Sequence, residues 1–136
     1  MSSFFDTNIL IYAQQDGAKA ETARGLLARG GVLSVQVLNE FAAVSRRKLG
    51  KGWDEIGEAI EDALALVEPP LPLTMALHEA ARAIAGDHGL AFYDALIVAA
   101  ALDAGCDTLL SEDLQDGRVF GDLKIVNPFA GSGSAR

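Results

Sequence analysis

A chain of 136 residues, half of them hydrophobic, is enough for one compact domain with a sizeable core and too short for two ordinary ones. Its net charge of -8 argues against a surface that coats nucleic acid through many phosphate contacts. The single cysteine, Cys106, allows no internal disulfide, and no Cys/His group has zinc-ligand spacing, so a disulfide scaffold and a zinc finger are excluded and a reducing, cytoplasmic setting is expected.

Residues 1–6 contain no basic stretch followed by an apolar run, so no signal or transit peptide is expected. SFFD, residues 3–6, reads as a short buried strand ending at Asp6, and TNILIYAQQ turns directly into a helix that Thr7 or Asn8 caps. A second helix is predicted over 19–29, closed by Gly30 and Gly31. VLSV, residues 32–35, reads as a strand. From Gln36 the pattern turns helical, with Val37, Phe41 and Val44 at spacings of four and three, until Gly50 and Gly52 end it.

Residues 53–67 are helical again through Ile56, Ile60, Leu64 and Val67, with the acids mostly on the other face, and Pro69, Pro70 and Pro72 stop that helix. Thr74 caps a helix over 75–85, GDHG makes a turn, and residues 90–102 form an apolar helix, too short to span a bilayer and therefore read as core. TLLS and LKIV are the last two strands. Strands alternating with helices predict an α/β fold with a central parallel sheet covered on both faces. One domain over residues 1–129 is expected, with 130–136, AGSGSAR, as a disordered tail.

Charge is uneven along the chain. Lys19, Arg24, Arg29, Arg46, Arg47, Lys48 and Lys51 all precede Trp53, against four acids in the same stretch. They form either ordinary solvated helix faces or a patch for an RNA backbone.

Four acids stand out by position. Glu40 falls inside the apolar stripe of its helix, and the positions three and four residues away hold Gln36, Val37, Ala43 and Val44, so no local cation balances it. Gln36 can at most donate a hydrogen bond. Asp94 lies in the apolar helix with only Tyr93 as a polar companion; capping or a helix-dipole role is the alternative to a site. Asp6 and Asp113 each follow an apolar strand, at the sheet edge where ligands bind parallel sheets, although turn chemistry explains either alone. Carboxylates gathered at close range repel one another, which raises their pKa values or demands a cation, and hard oxygen ligands select magnesium or manganese, which can activate water to hydrolyse a phosphodiester.

With these residues in place the chain resembles the PIN-domain family, in particular the bacterial VapC-type toxin ribonucleases, from Phe4 to Phe129. FFDTNILIYA is similar to the family's opening strand and helix with Asp6, VLNEFAAV to its helix with Glu40, FYDALIVAAALDAGCDTLLSEDL to its core helix and next strand with Asp94 and Asp113, and KIVNPF to its closing strand. The resemblance implies a three-layer α/β/α fold, Mg or Mn bound by the four acids, endonucleolytic hydrolysis of RNA, a homodimer, and neutralisation by a cognate antitoxin. By the same comparison Asn8 and Ser111 are supporting polar residues, with helix capping and a strand-end hydrogen bond as alternatives. In SEDLQDG the fourth acid is best matched by Asp113, then Asp116, then Glu112.

His78 and His88 have no nucleophile motif near them and read as structural. Trp53 and Tyr93 are packing residues or base-stacking platforms, and Cys106 an apolar filler. No Walker loop or GxGxxG follows a strand. Two other functions remain: an aspartyl-phosphate phosphotransfer enzyme, which wants an Asp where Asn8 stands, and a non-catalytic PIN-like binding module.

Overall fold

A computed structural model describes residues 2–130. Its elements in chain order are β1 (Ser3–Phe5), α1 (Thr7–Ala13), α2 (Ala18–Ala28), α3 (Val35–Arg47), α4 (Trp53–Leu64), α5 (Met75–His88), α6 (Phe92–Asp103), β2 (Thr108–Leu110), β3 (Val119–Phe120) and β4 (Leu123–Val126). The sheet has the order β1-β2-β4-β3. Successive strand residues point to opposite faces, yet Phe4 and Phe5 are both fully buried, as are Leu109 and, nearly, Leu110. Both faces are therefore covered by helices, which gives the three layers expected.

The sheet is mixed rather than wholly parallel. β1, β2 and β4 run parallel, but β3 pairs antiparallel with β4 across a two-residue turn, Gly121–Asp122. Two residues with Val119 exposed leave too little pattern to read as a strand. VLSV also differs from expectation. It is extended but makes only isolated bridges, Phe4 with Val32 and Ser34 with Leu71, because Ser34 already caps α3 by accepting the Val37 N–H.

The turn predicted at GDHG is shorter, since Gly86, Asp87 and His88 complete α5 and Gly89 alone, at φ 66°, ends it. α5 and α6 then meet at 116°. Seven consecutive residues of α6, Ala95 to Ala101, are buried, as befits a helix apolar all round. No single helix among the described residues is long and apolar enough to cross a membrane. The tail expected to be disordered lies, apart from Ala130, outside the described residues.

Gly31 fixes how the chain returns to β1. Its φ is 155°, and a Cβ there would lie 2.6 Å from the Phe5 ring and 2.7 Å from the Ser3 carbonyl oxygen, which already accepts the Val32 N–H. Backbone cannot yield as a flexible side chain can. Gly31→Ala is expected to cost roughly 2–4 kcal/mol, combining overpacking with backbone strain, and to lower the urea midpoint. A midpoint equal to wild type would refute this account of the junction.

Candidate active site

In the β1–β2 register Phe5 is opposite Leu110, so the next residues, Asp6 and Ser111, emerge side by side at the carboxyl edge of the sheet. Asp6, with extended backbone, is the N-cap of α1: its Oδ1 accepts the Thr7 N–H at 2.7 Å. The cap expected at Thr7 or Asn8 is thus Asp6 itself. Its Oδ2 accepts the Ser111 hydroxyl at 2.7 Å, and only 6% of the residue is exposed. Burial drives the Asp6 pKa up to about 6 against those two hydrogen bonds, with the charges of Asp113 and Asp94 adding to the rise.

Glu40 lies in α3 on the row Gln36, Glu40, Val44 and Lys48, spaced four apart. It is half-buried, and its Oε2 is shut off from solvent with no hydrogen-bond partner. Burial, then the charges of Asp6 and Asp94, push its pKa up to about 7, with Gln36 opposing through a hydrogen bond. Asp94 occupies the first turn of α6, where a carboxylate complements the helix dipole. Capping does not explain it, because the N-cap is Ala91 and no side chain caps that helix. Burial and then the Asp113 charge raise the Asp94 pKa.

Asp113 is exposed on the turn after β2. Asn8 braces that turn from α1: its Nδ2 donates to Asp113 Oδ2 at 3.2 Å and its Oδ1 accepts the Glu112 N–H at 3.3 Å. The fully buried Ser111 does more than close a strand, since its Oγ accepts the N–H groups of Asp113 and Leu114 while donating to Asp6. Asp116 is elsewhere, holding the Asn127 N–H at 2.9 Å and lining no part of the acidic pocket. Glu112 is at the rim, bound by Lys19 at 2.6 Å and by the Tyr12 hydroxyl at 2.5 Å. Burial raises its pKa, but those two partners outweigh it and the net shift is downward.

Asp6, Glu40, Asp94 and Asp113 share one open pocket of ≈ 370 Å³ with Thr7, Asn8 and Lys48. Among the described residues no three acidic, His or Cys side chains are already drawn together tightly enough to hold a metal ion. The donor set still suits a hard divalent cation: all its ligand atoms are oxygens, and Glu40 brings a buried oxygen that no protein group satisfies.

Thr7 was read in the sequence only as a cap. Its Oγ1 is buried without a partner and lines the same pocket, and its position between Asp6 and Asn8 is the sole signal the sequence offers. Among the described residues Lys48 is the one cation lining the pocket, and no ion pair occupies it. Other early cations serve the fold: Arg24 donates to the Ala13 carbonyl, Arg46 to that of Lys51, and Lys51 pairs with Glu55. His78 and His88 pack against Phe92 and Phe120, away from the pocket. Trp53 is exposed with Arg46 over its ring, Tyr93 is exposed beside Phe92, and Cys106 is buried.

Residues 3–119 match the profile of the PIN domain family. No curated protein sequence matches the chain. Several solved structures are similar to it. A toxin-antitoxin complex from Klebsiella pneumoniae has a TM-score of 0.70 at 20% identity, covering 93% of this chain and 98% of that one. VapC20 from Mycobacterium tuberculosis, a Sarcin-Ricin loop cleaving toxin, has 0.68 at 23%, covering 82% and 90%. VapBC2 from Rickettsia felis, bound to a DNA fragment from their promoter, has 0.65 at 20%, covering 92% and 97%. At these identities the likeness is one of fold.

Proposed function

This chain belongs to the PIN-domain family, and from that premise we propose that it is a Mg- or Mn-dependent endoribonuclease, the toxin of a toxin–antitoxin pair. The observation that carries the reading is the convergence of Asp6, Glu40, Asp94 and Asp113 on one pocket at the carboxyl edge of the sheet, with no cation among the described residues paired to any of them. Neighbours named as toxins and toxin-antitoxin complexes support the biological role.

Asp6, Glu40 and Asp94 would hold one ion, with Asp113 completing that site or supporting a second. When bound, the ion supplies Lewis acidity toward a phosphoryl oxygen and a nucleophile drawn from water. The chain's own residues prepare the place. Ser111 and the Thr7 N–H fix the Asp6 carboxylate, Asn8 braces Asp113, and Glu40 contributes its unsatisfied oxygen from the opposing helix. No side chain is needed as nucleophile. Phosphotransfer through Asp6 is disfavoured, because such an enzyme wants a second Asp two positions on, where Asn8 stands. A non-catalytic module has no use for these raised-pKa carboxylates.

An antitoxin would be expected to place a cationic side chain in the pocket, relieving the repulsion among the acids. A homodimer is the proposed assembly. Purified protein should cleave RNA with Mg or Mn, stop in excess chelator, and resume on re-addition of the metal. Equal cleavage with and without chelator would sink the metal-nuclease reading.

A further inference from the structure

Glu112 and Asp113 are adjacent on one turn, and both reach the acidic pocket, yet they are held in opposite ways. Lys19 Nζ, from the start of α2, meets Glu112 Oε2 at 2.6 Å, and the Tyr12 hydroxyl of α1 donates to Glu112 Oε1 at 2.5 Å. Lys19 also donates to the Tyr12 oxygen at 3.3 Å and lies 4.8 Å over the Tyr12 ring and 5.7 Å from the centre of the Phe129 ring. Tyr12 and Phe129 pack edge to face at 4.9 Å. Side chains from α1 and α2 thus meet on one carboxylate, and Phe129 packs behind them. Among the described residues Asp113 receives only the weaker Asn8 amide and no cation.

We propose that Lys19 and Tyr12 are positioning residues that clamp Glu112 against α1 and α2, so that the turn after β2 offers Asp113 alone to the ion. This rests on the metal-nuclease reading above and selects among the acids of SEDLQDG by charge. A carboxylate neutralised by an ammonium and a hydroxyl is a poor ligand, whereas its neighbour keeps its full charge. Without the clamp Glu112 becomes a competing ligand beside Asp113. Its extra charge tightens cation binding, while the ion is drawn toward the rim and away from its working position.

The test uses the full chain, with Mn2+ titrated by calorimetry and RNA cleavage measured at saturating Mn2+. Lys19→Met is expected to bind Mn2+ several-fold tighter and to lose about tenfold in kcat, with KM for RNA moved less than about twofold. Lys19→Arg should retain wild-type behaviour, and Lys19→Met combined with Glu112→Gln should recover both quantities; melting temperatures exclude unfolding as the cause. A raised KM with unchanged kcat that Glu112→Gln does not rescue makes Lys19 an RNA contact and overturns the clamp. If wild type binds Mn2+ but cuts no RNA, the nuclease reading fails while the clamp is still decided: a shift in affinity reversed by Glu112→Gln supports it, and no shift overturns it. Absence of any Mn2+ binding overturns both.

Discussion

Asp6→Asn is expected to lower RNA cleavage at saturating Mg or Mn by at least about 10³-fold, and at the same time to make the metal-free protein more stable above pH 6. A Lewis acid is worth several kcal/mol of transition-state stabilisation, and Asp6 is the most buried of the acids proposed to hold it. The fold should survive, because asparagine caps helices as well as aspartate and its Oδ1 can still accept the Thr7 N–H, while the Ser111 hydroxyl loses its acceptor. Stability moves the other way for an electrostatic reason. Asp6 has a folded pKa of about 6 against an ordinary 3.8, so it binds its proton more tightly when folded. Its contribution is complete below about pH 4 and is lost as pH rises through about 6. Asparagine does not titrate. With chelator present, the stability of the variant relative to wild type should therefore grow between pH 4 and 6.5 by about 2 kcal/mol, roughly 5–10 °C in melting temperature. A variant that cuts RNA within tenfold of wild type, or a gap that narrows as pH rises, contradicts this account of Asp6.

The helices were legible because each carries a period and a stop. Val37 and Phe41 mark the buried side of α3 and Thr74 caps α5 as read, whereas α4 ends at Leu64, three residues short of the Val67 expected and before the prolines. Strand-level detail was less legible, for a physical reason. Strands of two to four residues are defined by partners far away in sequence, so β3 is visible only once β4 lies beside it. The same holds for the segment from Val32 to Val35, where Val32 bonds β1, and Leu33 and Val35 bond Leu71. Asp6 shows how local and distant chemistry overlap. A residue expected to end a strand also caps the next helix, and the sequence alone does not reveal that one carboxylate serves both.

For the pocket, the sequence carried the acids better than their supports. A charged residue on an apolar helix stripe is conspicuous, so Glu40 and Asp94 could be singled out before any geometry. The contacts of Asn8 and Ser111 span more than a hundred residues of chain, and only the β1–β2 register brings them together. Asp116 and Asp113 are chemically equal in the sequence. What separates them is the Asn127 N–H, which occupies Asp116 on the far side of the turn. Lys19 read as one cation in a basic stretch, yet its partner lies 93 residues away on the pocket rim.

Those raised carboxylates lead to a second large effect, in the pH dependence of metal binding. An ion ligated by Asp6 and Glu40 must displace the protons they hold, with folded pKa values of about 6 and about 7. At pH 7.5 few of those protons are present; at pH 5.5 nearly both are. Competition should therefore weaken Mn2+ binding on the order of a hundredfold between pH 7.5 and 5.5, with close to two protons released per ion at the lower pH. Calorimetry in buffers of different ionisation enthalpy counts the protons directly. Glu40→Gln removes the larger share of the effect, leaving about a fourfold change from Asp6 alone. Ordinary carboxylates titrating near pH 4 would give almost no change over this interval. An affinity that stays flat from pH 5.5 to 7.5 therefore means that the ion, wherever it binds, is not held by Asp6 and Glu40.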